Sequence, residues 1–173
     1  IEPARHNGLH IQTDLRVLQP QKLDILFCFP PCQHLAGSGA RWWKSKGPQA
    51  LTEALELVNI AKTWSALAKW FLIENPVGRL STEWRKPDWY FHPHNYAGYI
   101  SDSKNEAYTK KTCCWSNIRR PKEKNVYPSQ GSKMHLLPPS AERPYLRSIT
   151  PQGFAEAIYQ TLLPEILPCP STA

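Results

Sequence analysis

Short apolar runs separated by proline stops set the rhythm of this chain. The first ten residues are polar without a clear period, and Ile11 to Asp14 predicts a short strand end. Leu23-Asp24-Ile25-Leu26-Phe27-Cys28-Phe29 is almost continuously apolar, as in a strand buried on both faces of a parallel sheet, and it stops at Pro30-Pro31. A loop of small residues runs from Cys32 to about Gly47, carrying Arg41, Trp42, Trp43, Lys44 and Lys46. From Pro48 the period changes. Leu51, Ala54, Leu55, Leu57, Val58, Ile60, Ala61 and Trp64 recur at three and four residues, which predicts an amphipathic helix fading near Leu67. Pro48 suits its first turn, where no amide donor is needed. Trp70 to Ile73 then reads as a second buried strand ending at Glu74-Asn75-Pro76, completing a strand–helix–strand crossover with parallel strands.

Beyond Pro76 the pattern thins. Asp88 to His92 and Thr112 to Trp115 read as strands, and residues 118–145 as an irregular, proline-punctuated stretch. Gln152 to Leu163 carries a helical stripe of Phe154, Ala157, Ile158, Thr161 and Leu162. The class is α/β. A length of 173 residues suits one domain over 1–163, with a basic irregular segment at 103–147 and a tail from Pro164. The 17 prolines are about twice the usual share of roughly 5% and argue against a helical bundle. No apolar run nears the roughly 18 residues of a membrane span.

Charge and cysteines narrow the partners. The chain carries 21 Lys and Arg against 14 Asp and Glu, a net +7, which favours an anionic partner with nucleic acid first. Ser103 to Lys124 holds seven of these cations and two glutamates, with Tyr108 and Trp115 interleaved, as in segments that follow phosphates and stack bases. A solvated loop is the other reading. Five cysteines, Cys28, Cys32, Cys113, Cys114 and Cys169, form no disulfide framework, and the adjacent pair is poorly placed to bridge; a reducing cytoplasm is expected. The histidines offer no helix-spaced ligand pair, and no metal is expected even at His92 and His94.

Ligands of open parallel sheets gather beyond the carboxyl ends of the strands. The two best-defined strands end at Cys32 and Glu74, so a thiol and a carboxylate face one crevice. Phe29-Pro30-Pro31-Cys32-Gln33 resembles the nucleophile motif of DNA cytosine carbon-5 methyltransferases, and Ile73-Glu74-Asn75-Pro76-Val77-Gly78 resembles their Glu-Asn-Val motif. Lys110-Lys111-Thr112-Cys113-Cys114-Trp115 and Ser148-Ile149-Thr150-Pro151-Gln152-Gly153-Phe154 are similar to segments of small phage- and virus-type members, so the likeness runs in order over about residues 9–162.

The resemblance implies a Rossmann-like methyltransferase fold with a mostly parallel sheet, DNA as partner and S-adenosylmethionine as cofactor. It makes Cys32 the nucleophile that adds to cytosine carbon 6, and Glu74 the acid at ring nitrogen 3. Asp14, Pro30 and Pro31 would touch the cofactor, Asp14 alternatively being a turn residue. Gln33 would close the nucleophile loop and Asn75 brace it. Lys110 and Lys111 stand where the family has arginines near the cytosine and its phosphate, with Arg119 and Arg120 beside them on the substrate; a solvated face is the alternative for the lysines. Lysine keeps the charge but loses the bidentate fork.

The family's glycine-rich cofactor turn and first strand have no counterpart, and Ile1-Glu2-Pro3 resembles the residues just after its ribose-binding acid. With Met134 as the only methionine, the expectation is an N-terminally incomplete fold. The region from Ser116 to Arg147 is short for reading DNA sequence. Two other functions stay open: a non-catalytic nucleic-acid-binding remnant, and carbon-5 modification of pyrimidine nucleotides.

Overall fold

In the computed structural model, which describes residues 11–166, the first apolar run forms strand β1 (Leu23–Cys28). The helical period forms α1 (Trp43–Ser65). α1 breaks at Gly47, whose φ of 72° lies in the left-handed region, so Pro48 opens the long second segment. β2 (Ala68–Pro76) pairs parallel with β1, placing Cys28 opposite Ile73. After it come α2 (Leu80–Glu83), β3 (Trp89–Phe91), short 3-10 turns between Pro93 and Glu106, and β4 (Thr112–Ser116). The chain ends with α3 (Lys133–Leu136), α4 (Arg143–Ser148) and α5 (Gln152–Ile166).

The expected mostly parallel, Rossmann-like sheet is not what forms. The sheet is small, open and mixed, with four strands in the order β1-β2-β4-β3. Among hydrogen-bonded neighbours of the described sheet only the β1–β2 pair is parallel; β4 runs antiparallel to both β2 and β3. The reason lies in the connection. A further parallel strand needs a crossover laid over the sheet. Residues 77–88, with α2, carry the chain across to β3, which runs the same way as β2, whereas residues 92–111 hold only 3-10 turns, so β4 returns antiparallel and enters the sheet between β3 and β2.

Helices cover both faces. On one, α5 sets Phe154, Ala157, Ile158 and Leu162 against Leu72, Cys114, Trp89 and Phe91, with the rings of Phe91 and Phe154 stacked at 3.9 Å. On the other, α1 sets Ala54, Val58 and Ala61 against Ile73, Cys113 and Trp115. Cys113 and Cys114 thus point to opposite faces, as neighbours on a strand must.

Pairing with β4 carries β2 beyond the predicted exit. Glu74, Asn75 and Pro76 stand opposite Cys114, Cys113 and Thr112, so Glu74 lies within the strand. Ile11 to Asp14 makes no strand; Asp14 caps a 3-10 turn over Leu15–Val17. The predicted tail begins inside α5, which holds Pro164 in its last turn. Cys169 and residues 1–10 lie outside the described residues.

Candidate active site

The loop leaving β1 is a tight, clamped turn. The Cys32 carbonyl accepts hydrogen bonds from the amides of Leu35 (2.9 Å) and Ala36 (2.8 Å). The loop then docks on the segment leaving β2: Gly37 N donates to the Val77 carbonyl and Arg79 N to the Leu35 carbonyl, both at 2.8 Å. Gly78 permits this approach, since a Cβ there would sit 2.0 Å from the Leu35 carbonyl oxygen. Asn75, 1% exposed, donates from Nδ2 to the Pro30 carbonyl at 2.8 Å. The proline exit and the Glu-Asn strand end are therefore hydrogen-bonded to each other, which brings Glu74 near enough for its charge to act on the Cys32 thiol.

The crevice carries opposed charges. Burial pushes the Glu74 carboxyl above its ordinary value of 4.5, against the pull of Lys110. Burial and then Glu74 push the Cys32 thiol up, while Lys110 and Arg147 pull it down. Lys110 Nζ donates to the Arg147 carbonyl at 2.8 Å, and Arg147 Nη2 donates to Ser38 Oγ at 3.1 Å. Arg147, Ser38 and Gly78 were not singled out by the sequence. A glycine just past a strand end was the available sign for Gly78; Arg147 and Ser38, 109 positions apart, left none.

The other candidates scatter. Gln33 is exposed, its carbonyl accepting from Lys46 Nζ at 3.0 Å; Pro31 is exposed, and the Pro30 carbonyl is taken by Asn75. Lys111 lies over the Tyr90 ring at 4.4 Å. Arg119 and Arg120 follow the far end of β4, where Arg119 is exposed and Arg120 pairs with Glu123 and the Tyr96 hydroxyl. The basic segment is not one stripe, for Lys124 and Lys133 also sit over tyrosines, Tyr99 and Tyr108. His92 and His94 have ring centroids 5.5 Å apart, and among the described residues no group of three His, Cys, Asp or Glu side chains gathers to hold a metal.

S-adenosylmethionine would need an acid for its adenine amine and polar groups for its ribose and amino acid. Asp14 instead accepts from its own turn at Arg16 N and pairs with the Arg16 guanidinium, both at 2.9 Å. The groove beside β1, about 170 Å³ between Phe27, Phe29 and the α5 residues Phe154, Ile158 and Leu162, is almost wholly apolar. The described residues do not fit that cofactor. Among them no helix is long and apolar enough to cross a membrane. No protein-family model, curated protein or solved structure matches this chain.

Proposed function

We propose that the chain performs the base-activating chemistry of a DNA cytosine carbon-5 methyltransferase. The observation that carries this reading is the convergence of Cys32 with a carboxyl held above its ordinary pKa at the paired ends of β1 and β2. Cytosine carbon 5 becomes nucleophilic only after addition at carbon 6. The Cys32 thiol gives its proton to solvent, and the thiolate's electron pair forms a new bond between Sγ and carbon 6. The carbon 5–carbon 6 π pair moves toward ring nitrogen 3, which takes the Glu74 proton, leaving a neutral enamine. A carboxyl with a raised pKa is suited to donate that proton, as in other sites that keep a carboxylic acid ready near neutrality. Methyl transfer from S-adenosylmethionine is implied by the resemblance alone, and the described residues offer it no site.

The activated base offers a readout free of cofactor. Its carbon 5 can take a deuteron from solvent and then lose the original proton, so addition and reversal exchange cytosine H5 in D2O. Incubating the chain with a cytosine-containing single-stranded oligonucleotide in D2O is expected to exchange H5, and Cys32→Ser to abolish it. Absence of exchange with retained DNA binding would favour the non-catalytic remnant, which the poor cofactor fit also supports. Exchange of free dCMP but not of the oligonucleotide would move the reading to nucleotide modification.

A further inference from the structure

Two cations at the crevice have no carboxylate within 4.0 Å among the described residues: Lys110 and Arg147. Both are partly buried, in contrast to the exposed Lys111, Arg119 and Arg120. They come from segments 37 positions apart, joined by the hydrogen bond from Lys110 Nζ to the Arg147 carbonyl. That bond uses one of three lysine protons and none of the guanidinium's. Arg147 spends Nη2 on Ser38 Oγ, six positions beyond Cys32 in the same clamped loop, which fixes the guanidinium beside the nucleophile turn. An unpaired, partly desolvated pair of cations with free donors fits a phosphate.

Resting on the proposed base chemistry, we infer that Arg147, with Lys110, binds the phosphate of the target cytosine nucleotide. The grip falls to Arg147 because Lys111, the neighbour of Lys110, already lies over Tyr90. Ser38 holds the guanidinium and the Lys110 ammonium holds the Arg147 backbone, so that a nucleotide whose phosphate sits on Arg147 brings its base toward Cys32 and Glu74. The arginine fork missing at Lys110 and Lys111 is thereby supplied from α4.

The test is binding to the full chain, read by fluorescence anisotropy with a labelled single-stranded 12-nucleotide DNA containing one cytosine and by calorimetry with dCMP and deoxycytidine. Arg147→Ala is expected to weaken the oligonucleotide, dCMP or both about tenfold, and to lower the oligonucleotide's salt slope by about 0.7 for one lost phosphate contact. Arg147→Lys should restore most of the affinity, and Lys111→Ala should lose less than Arg147→Ala. Deoxycytidine, lacking phosphate, should not distinguish Arg147→Ala from the parent chain. Ser38→Ala, which removes the tether and keeps the charge, should lose less than Arg147→Ala, and thermal melts on every variant control for a structural role. Arg147→Ala binding both phosphorylated probes as tightly as Lys86→Ala, a surface charge control, overturns the inference; so does an equal loss in Arg147→Lys. Because these arms need no turnover, a chain without H5 exchange but with Arg147-dependent phosphate binding would refute the chemistry and leave the phosphate site standing.

Discussion

Glu74 costs the fold stability wherever it is ionised, since burial holds its carboxyl above its ordinary value of 4.5. The folded state binds a proton in the window just above 4.5 where the unfolded chain does not, so stability rises as pH falls through that window. Glu74→Gln removes the buried charge. It should raise the melting temperature at pH 7 while lowering H5 exchange by about 10²- to 10⁴-fold, the usual contribution of a positioned acid; a lower melting temperature would mean the carboxylate is net stabilising. The same substitution removes the negative charge facing Cys32. The thiol pKa should fall and iodoacetamide should alkylate Cys32 faster at pH 7.5, whereas Arg147→Ala should slow it, both read by peptide mass spectrometry.

At the scale of elements, the site depends on two close approaches. Gly78→Ala would force a Cβ onto the Leu35 carbonyl oxygen, against backbone that cannot yield cheaply. A loss of about 1–3 kcal/mol in a urea titration is expected, with loss of the proposed H5 exchange beyond it as the Cys32 loop shifts. α5 is tied down by Glu106, whose buried carboxylate accepts from the amides of Gln152 and Gly153 and so caps the helix from the segment before β4. Glu106→Ala should cost about 0.5–2 kcal/mol, the range for losing an N-terminal cap. Neither anchor was visible in the linear pattern. The helix over α1 and the strands β1 and β2 were, because their apolar periods lie within single segments: Leu51, Leu55 and Val58 repeat by turns, and Ile25 to Cys28 run on without a polar break. β2 proved longer than its apolar run because pairing with β4, a long-range contact, holds Glu74 to Pro76 extended.

Across the described residues, Cys113 and Cys114 are buried and Cys28 and Cys32 half-buried, and burial holds all four thiols above their ordinary value. Burial pushes Cys28 and Cys113 up to about 11 and Cys114 well above the ordinary 9.0. The unfolded chain would lose these protons first, so stability should fall as pH rises from 9 toward 11. Urea midpoints at pH 7.5, 9 and 10.5 should show the decline, and the Cys28→Ala/Cys113→Ala double variant should flatten it. An unchanged slope would place the alkaline sensitivity elsewhere, with Tyr108, held up to about 12 by burial and then Glu106, the next group to examine.

The sequence by itself determined the local pieces: the two apolar strands, the amphipathic helix between them, the proline stop at Cys32 and the acid after Ile73. These follow from side-chain period and from what proline and glycine do to their own backbone. It also placed Cys32 near Glu74, because parallel strands joined by a helix bring their carboxyl ends to one edge. The tertiary structure alone decided the direction of β4, and with it the mixed sheet. It also decided that Arg147 joins Lys110 at the crevice while Asp14, Arg119 and Arg120 turn to partners of their own. Strand direction depends on how a connection lies over the sheet, and ion pairing on distances between remote segments. Neither quantity is written in the spacing of residues along a chain.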